Sequence, residues 1–182
     1  MEEMEEKLEL RKKFRLERAG LYISSSYSNL LSTPEILDAK VLTSYFSYGN
    51  EPSTYELNKS LIAAGKKLLL PRVNGGNIDW IVWDGNEKLL QENKNILEPT
   101  GEVVTDTSDV DVVIVPALRI DTDGYRIGQG GGFYDKALPL LPGWKIGIVH
   151  PGELISEILP REPHDIALDA AATPDLIVRF KR

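Results

Sequence analysis

The 182-residue chain contains no cysteine, only two histidines and no long apolar run. The absence of cysteine excludes disulfides, thiolate catalysis and zinc sites built on sulfur. His150 and His164 do not form a His-x-x-x-His pair, so a transition-metal site is not expected. No segment reaches the roughly 20 apolar residues that a membrane-spanning helix needs, and the N-terminus is too acidic for a signal or transit peptide. These absences predict a cytoplasmic protein without a membrane partner.

Positive charge is also scarce, because 21 Lys and Arg face 28 Asp and Glu, giving a net charge of -7. This balance argues against general nucleic-acid binding. A local cluster of basic residues can nevertheless bind an anionic small molecule, whatever the sign of the global charge. The length suits one domain covering residues 1–182, with enough chain to bury a sizeable core.

The spacing of apolar, capping and turn residues predicts alternating helices and strands. Helices are predicted at 5–19, at a short segment from Pro34, from a Ser53–Glu56 capping box to Gly65, at 133–141 and at 153–158. Strands are predicted at 41–48, 67–73, 78–83, 110–116 (central and buried), 145–149 and 176–180. A hairpin is predicted at 74–77, a loop or weak helix at 24–33, and polar turns at 84–108. The alternation predicts an α/β fold, with a mainly parallel, mixed central sheet and helices on both faces.

The most informative segment runs from Gly124 to Lys136 and has four glycines within five positions. Without a Cβ, glycine lets backbone N–H groups surround an anion. Arg126 could add charge-assisted hydrogen bonds, and Asp135 could bind a hard cation. The dinucleotide pattern fails because Phe133 replaces its last glycine, and the P-loop's Gly-Lys-Ser/Thr is absent. The residues alone leave two interpretations: a cradle for a polyphosphate with its magnesium, or a wide turn between strand and helix.

Basic residues also cluster on the first predicted helix. Four of them share one helical face: Lys7, Arg11, Arg15 and Arg18. This face could be a solvated surface paired with glutamates, or a stripe that binds phosphates. The residues alone favour the solvated surface.

Strand ends of the predicted sheet indicate where a ligand would bind, because ligands of parallel sheets lie outside the C-terminal ends of the strands. That edge would bring together residues 48–51, Pro71-Arg72, the loop after Pro116, and His150. The glycine-rich segment would lie at the same edge.

Four ordered segments match one known family. They are Lys7-x-x-x-Arg11; 45–51 with Gly65-Lys66 and 70–73; Gly124-x-Arg126-x-Gly128-x-Gly130-Gly131-Gly132-Phe133-Tyr134-Asp135; and 163–169 with Thr173-Pro174. In order and spacing, they resemble the 5-formyltetrahydrofolate cyclo-ligase family, also called 5,10-methenyltetrahydrofolate synthetase. The chain departs from the family at Gln129 or Gly131, where a basic residue is common, at Phe133, where tyrosine is usual, and in a shorter 18–33 region.

The resemblance implies a monomeric ligase that converts 5-formyltetrahydrofolate to 5,10-methenyltetrahydrofolate with ATP and Mg²⁺, and that has no nucleic-acid partner. It implies ATP contacts from Lys7, Arg11, Arg126, Ile127, Gly128, Gln129, Gly130, Gly131, Gly132, Phe133 and Tyr134. It implies folate contacts from Phe46, Glu51, Gln129, Gly130, Gly131, Gly132 and Phe133, and magnesium ligands from Asp135 and Asp165. Arg126 and Tyr134 would act in catalysis.

Without the resemblance, simpler interpretations apply to the three acidic residues. Asp135 would be a carboxylate in the first turn of a helix, Asp165 a turn or cap residue, and Glu51 a surface acid before a helix. Two other functions also remain open. One is a sugar-phosphate isomerase or CoA-transferase-like enzyme with Glu51 or Asp135 as base. The other is a nucleotide- or folate-binding module without turnover.

Overall fold

A seven-stranded sheet forms the centre of the fold in a computed structural model that describes residues 2–21 and 25–181. In chain order the strands are β1 (Val41–Thr43), β2 (Lys67–Asn74), β3 (Asn77–Trp83), β4 (Leu90–Asn93), β5 (Ile96–Pro99), β6 (Val112–Pro116), β7 (Arg119–Ile120), β8 (Arg126–Ile127), β9 (Trp144–Ile148), β10 (Ala170–Ala172) and β11 (Ile177–Arg179). The α-helices are α1 (Glu2–Ala19), α2 (Pro34–Asp38), α3 (Tyr55–Ala63) and α4 (Phe133–Ala137).

The sheet has the order β11-β10-β9-β6-β1-β2-β3. The five strands from β10 to β2 pair in parallel, whereas the edge strands β11 and β3 are antiparallel to their neighbours. Strand β6 is central, as predicted, and pairs with β9 along its whole length. The parallel β1–α3–β2 unit and the β2–β3 hairpin are also confirmed. No helix in residues 2–21 and 25–181 is long and apolar enough to cross a membrane.

Two apolar layers cover the sheet because successive side chains of a strand point to opposite faces. In β6, Val112 and Ile114 belong to the cluster that includes Leu57 and Leu61 of α3. The other face of the sheet belongs to a second cluster, which includes Ala137 of α4. Helices therefore lie on both faces, which confirms the predicted α/β class.

The strand predicted at 41–48 is wrong beyond Thr43. After Thr43 the backbone hydrogen-bonds with side chains at the start of α3, where Asn58 Nδ2 and the Thr54 hydroxyl both donate to the Tyr45 carbonyl. Of the aromatic residues that suggested a longer strand, Tyr45 and Phe46 are buried in the core without pairing in the sheet, and Tyr48 is exposed. The predicted Ser53–Glu56 capping box is also wrong, because Thr54 occupies the N-cap and makes no side-chain capping bond.

The helix predicted at 153–158 is absent. Leu154 instead forms an isolated parallel bridge with Ile120, which gives this segment a backbone partner outside itself. The helix predicted at 133–141 ends at Ala137 and continues as a 3₁₀ turn, Leu138–Leu140, which contains Pro139. In the segment predicted as a loop or weak helix, residues 25–33 include the 3₁₀ helix Ser28–Ser32, and Ser24 lies outside the described residues.

Three elements lack any sequence prediction: the β4–β5 hairpin, the short β7–β8 pair and β10. The first lies in the segment that was predicted to hold only polar turns. Strand β10 consists of three alanines, a residue type with low strand propensity, and all three are fully buried. Burial between neighbouring strands therefore determines the conformation of β10.

Candidate functional site

A cavity of about 330 Å³ lies at the C-terminal ends of the parallel strands. Its walls include residues from the β1–α3 loop, the end of β2, the segment after β6, α1, and the glycine-rich loop 126–135. All residues with a role implied by the resemblance line it: Lys7, Arg11, Phe46, Glu51, Arg126, Ile127, Gly128, Gln129, Gly130, Gly131, Gly132, Phe133, Tyr134, Asp135 and Asp165. His150 does not line this cavity, and its Nε2 lies 2.8 Å from the Asn50 carbonyl oxygen.

Lys7 and Arg18 on the basic face of α1 are buried and Arg15 is exposed, so the solvated surface favoured by the residues alone is wrong for the two buried residues. Lys7 is only 4% exposed, and its Nζ donates to Asp165 Oδ2 at 2.6 Å and to Glu162 Oε2 at 2.7 Å. Burial lowers the pKa of Lys7, but these two carboxylates outweigh burial and raise the pKa overall. Burial likewise raises the pKa of Asp165, and the hydrogen bonds from Lys7 and the Glu162 backbone lower it overall. Both groups are therefore charged at neutral pH.

Ion pairs hold α1 in this position. Arg18 is 3% exposed and donates to Glu153 Oε2 at 2.6 Å, while Arg119 Nη1 donates to Glu153 Oε1 at 3.1 Å. Phe14 packs with Ile127 in a small apolar cluster next to the glycine-rich loop. The orientation of Lys7 and Arg11 at the cavity thus depends on a buried cluster of charges farther along the same helix.

The glycine-rich loop has a backbone conformation that needs glycine at two positions, since φ is +100° at Gly130 and +70° at Gly132. Three guanidinium groups lie against it, and that of Arg15 donates to the backbone and side-chain oxygens of Gln129. Arg11 Nε donates to the Gly128 carbonyl at 3.2 Å, and a Cβ on Gly128 would lie 2.9 Å from Arg126 Nη1. The loop is therefore a locally basic surface in an acidic protein.

Arg126 is nearly buried, and its guanidinium has both a partner and a free donor. Nη2 donates to Asp135 Oδ1 at 2.7 Å, whereas the buried Nε has no hydrogen-bond partner among the described residues. The Tyr134 ring lies 6.0 Å from Arg126 Cζ and meets the Trp80 ring edge-on, with centroids 6.4 Å apart. The Tyr134 hydroxyl also lacks a partner in the described part of the chain, and burial raises its pKa. The site thus holds unused hydrogen-bonding groups beside a guanidinium.

Asp135 and Asp165 lie close together in the cavity wall, although they come from separate segments of the chain. With His164, they place one possible ligand atom each within 4.8 Å of one another. The bonds to Arg126 and Lys7 use one oxygen of each carboxylate, Oδ1 of Asp135 and Oδ2 of Asp165. Two carboxylates in the wall of the cavity suit Mg²⁺, which binds few protein ligands and keeps several waters. His164 is exposed and was not predicted as part of this cluster.

Glu51 and Phe46 lie at the end of the cavity formed by the β1–α3 loop. Glu51 Oε2 accepts a hydrogen bond from the Tyr48 N–H at 3.0 Å. Burial raises the pKa of Glu51 to about 7, although that bond, Arg18 and Gln129 all act in the opposite direction. The Phe46 ring packs on Tyr55 and Trp83 at centroid distances of 5.1 and 5.0 Å. Phe46 is therefore a core side chain in the cavity wall.

Sequence analysis missed Tyr45 and one apolar wall of the cavity. That wall comes from β2, β3 and the unpredicted hairpin, with the side chains Val73, Ile78, Ile96 and Leu97. In the structure, Lys94 and Asn95 both have positive φ, as a two-residue hairpin turn requires. The sequence signal for this turn was Asn95. Asn is the residue type that tolerates this conformation best after glycine. Tyr45 had no sequence signal beyond its position in a matched segment.

Comparisons with known proteins agree with the matched segments. A model of the 5-formyltetrahydrofolate cyclo-ligase family matches residues 4–174. The 5-formyltetrahydrofolate cyclo-ligase of Escherichia coli K12 is 32% identical, over 82% of this chain and 86% of its own. That of Mycolicibacterium smegmatis is 31% identical, over 76% of this chain and 75% of its own.

Solved structures show the same fold. The NMR structure of 5,10-methenyltetrahydrofolate synthetase from Aquifex aeolicus has a TM-score of 0.79 and 31% identity, and covers 97% of this chain and 93% of its own. A protein of the same description from Mycoplasma pneumoniae has a TM-score of 0.64 at 21% identity, over 91% of this chain and 96% of its own. At that identity, the second likeness concerns the fold alone.

Proposed function

The chain belongs to the 5-formyltetrahydrofolate cyclo-ligase family, and we propose on that premise that it converts 5-formyltetrahydrofolate to 5,10-methenyltetrahydrofolate with ATP and Mg²⁺. ADP and phosphate are the other products. The observation that supports this proposal most is the cavity, because it is lined at once by basic groups, carboxylates and an apolar wall. A nucleotide phosphate and a folate need those three surfaces next to each other.

The phosphate groups of ATP bind on the side of the glycine-rich loop. Lys7, Arg11 and Arg126 line that side, and the loop has the open glycine backbone that lets N–H groups approach an anion. The free Nε of Arg126 is available to a phosphate oxygen. Negative charge develops on the equatorial and leaving oxygens in the transition state of phosphoryl transfer. Cations fixed beside those oxygens therefore stabilise the transition state more than the ground state.

The folate binds between Glu51 and the apolar wall. Glu51 accepts hydrogen bonds from the amino and ring N–H groups of the pterin. The aryl arm of the folate packs on the side chains of β2, β3 and β5. The formyl group is then directed to the glycine-rich loop, which both ligands share.

ATP is required because the formamide oxygen is a poor leaving group. The formyl oxygen attacks the γ-phosphorus of ATP, the bond from that phosphorus to the β–γ bridging oxygen breaks, and ADP leaves. Nitrogen N10 then attacks the formyl carbon and loses its proton, and the carbon–oxygen bond breaks to release phosphate. The enzyme contributes mainly by holding these atoms in line and by neutralising charge.

Asp135 and Asp165 would hold Mg²⁺, since Arg126 and Lys7 bind only one oxygen of each carboxylate. When bound, the cation neutralises negative charge on the phosphates. Lys7 lowers the pKa of Asp165, and Lys7 and Arg126 orient the two carboxylates through the bonds of 2.6 and 2.7 Å. Their positive charge also offsets the repulsion between the two acids in the absence of metal.

The first prediction is that the purified protein forms 5,10-methenyltetrahydrofolate from 5-formyltetrahydrofolate only when ATP and Mg²⁺ are both present. A spectrophotometric assay measures the product directly, and ADP is measured in parallel. Tetrahydrofolate without the formyl group is the control substrate and should not elicit ATP hydrolysis. Binding of the folate without product under any divalent cation would contradict the proposal and favour a binding module without turnover.

Glu51→Gln is expected to raise the KM for 5-formyltetrahydrofolate about 10–30-fold, because a hydrogen bond to a charged group contributes roughly 1.5–2 kcal/mol. The KM for ATP should not change. In the wild type, the folate KM should fall roughly 5–10-fold between pH 6 and pH 8, as Glu51 ionises around its pKa of about 7. In the variant this pH dependence should disappear. An unaltered folate KM with weakened ATP binding would contradict the role of Glu51.

The same variant has an expected effect on stability. The pKa of Glu51 is raised from 4.5 to about 7 in the folded protein, so the folded state holds its proton more tightly than the unfolded state. This favourable contribution is complete at low pH and is lost as pH rises through 7. Glu51→Gln should therefore gain about 1–3 kcal/mol relative to wild type between pH 5 and pH 8, measured by urea denaturation without ligands.

A further inference from the structure

The hydroxyl of Tyr45 is a buried polar group that the structure leaves without a partner. Tyr45 is 4% exposed and lines the cavity, yet its hydroxyl makes no hydrogen bond with any described residue. A buried hydroxyl without a partner costs about 1–3 kcal/mol of stability. Tyr27 shows the usual arrangement in this core, because it is 2% exposed and its hydroxyl donates to the Val149 carbonyl at 2.8 Å.

The backbone of Tyr45 is held in place by side chains at and near the start of α3. Its carbonyl accepts hydrogen bonds from Asn58 Nδ2 at 3.0 Å and from the Thr54 hydroxyl. Tyr45 and Glu51 belong to the same β1–α3 loop, and both line the cavity. Burial raises the pKa of Tyr45 well above its ordinary value, so the group is a hydrogen-bond donor at neutral pH. A fixed donor thus lies at the same end of the cavity as the Glu51 carboxylate.

A carboxylate beside a phenol hydroxyl is complementary to a specific kind of ligand edge. Glu51 can only accept hydrogen bonds when ionised, whereas Tyr45 can donate one. The edge of a 2-amino-4-oxopyrimidine presents two N–H donors followed by a carbonyl oxygen. We propose that Tyr45 is a further substrate-binding residue, whose hydroxyl donates to the ring carbonyl oxygen of the pterin while Glu51 accepts from the adjacent N–H groups. This inference rests on the proposed function and assigns the group that recognises the carbonyl oxygen.

The experiment compares Tyr45→Phe with wild type in three measurements. The folate KM should rise about 5–10-fold, the amount that loss of one hydrogen bond produces. The values of kcat and of the ATP KM should stay within about twofold of wild type, because Tyr45 is assigned no contact with the reacting atoms. The Tm without ligands should rise by roughly 2–4 °C, because the variant removes an unsatisfied buried hydroxyl. A residue with only a structural role would not show a higher Tm together with weaker folate binding.

Tyr27→Phe is the matched control, since it deletes a buried hydroxyl that is already bonded outside the cavity. It should lower the Tm and leave the folate KM unchanged. Isothermal titration with a folate analogue that has hydrogen in place of the ring carbonyl oxygen completes the test, and wild type and Tyr45→Phe should bind it equally. Two results would overturn this inference and leave the proposed function intact. One is a folate KM of Tyr45→Phe equal to that of wild type, and the other is equal weakening of its binding to the folate and to the analogue. Absence of product with the wild type would overturn the proposed function and the inference together.

Discussion

Arg126→Met is expected to lower kcat about 10³-fold, the effect typical of losing an arginine that neutralises a transferred phosphoryl group. Arg126 lies between the glycine-rich loop and Asp135, its side chain is nearly buried, and its Nε is unused. A guanidinium in this position adds positive charge and an unused donor to the wall of the cavity. Methionine fills a similar volume without charge, so single-turnover kinetics should show a loss in the chemical step.

Two controls separate this effect from a general loss of structure. Arg126→Lys keeps the charge but not the planar fork, and should recover only part of the activity. Arg179→Met removes an arginine that pairs with Glu35 at 2.8 Å on an edge strand, and should retain wild-type activity. Circular dichroism should show the same fold for all three variants. A kcat for Arg126→Met within tenfold of wild type would refute a direct role in phosphoryl transfer.

Asp135→Asn is expected to lower the initial rate about 10²-fold at limiting Mg²⁺ and to raise the Mg²⁺ concentration for half-maximal activity at least tenfold. The reason is the loss of one of two anionic ligands of a hard cation. Asparagine keeps an oxygen that can accept the bond from Arg126, so the fold should stay intact. The measurement is initial rate against free Mg²⁺ at saturating ATP and folate.

Asp123→Asn is the matched control for this variant. Asp123 accepts from Arg161 Nη2 at 2.7 Å, the same length as the bond between Arg126 and Asp135, but it does not line the cavity. Its magnesium dependence should equal that of wild type. If Asp135→Asn has an unchanged magnesium dependence, Asp135 is not a ligand and its role is limited to orienting Arg126.

Much of the sheet was predictable because its strands have strong local signals. Strand β6 is a run of β-branched residues, and such a run is stable only when both faces are buried. The hairpin between β2 and β3 has an Asn-Gly-Gly-Asn turn. Elements without a local signal were missed: the alanines of β10 form a strand because the neighbouring strands bury them, and Leu154 forms a bridge with Ile120 where a helix was predicted.

In the site, the glycine-rich loop shows how much the residue types of one segment can predict. Its four glycines and the flanking Arg126 and Asp135 predicted an anion-binding segment, and the structure brings them next to Lys7 and Arg11. The sequence therefore indicated the chemistry of each residue type, and the structure added which residues lie next to it. The preference for a solvated α1 was wrong because the spacing of charges along a helix does not indicate which of them find buried partners. Lys7 and Arg18 are buried through carboxylates more than 130 residues away in the chain.

The sequence by itself determined the class of fold, the family and the types of chemical group in the site, because these depend on local periodicity and on ordered motifs. Only the tertiary structure decided which groups are paired and which are free. Arg126 is bonded to Asp135 but retains a free Nε, and the Tyr45 hydroxyl is buried without a partner. Burial and pairing are set by contacts between segments far apart in the chain. They determine pKa values and unused hydrogen bonds, which no local pattern of residues can specify.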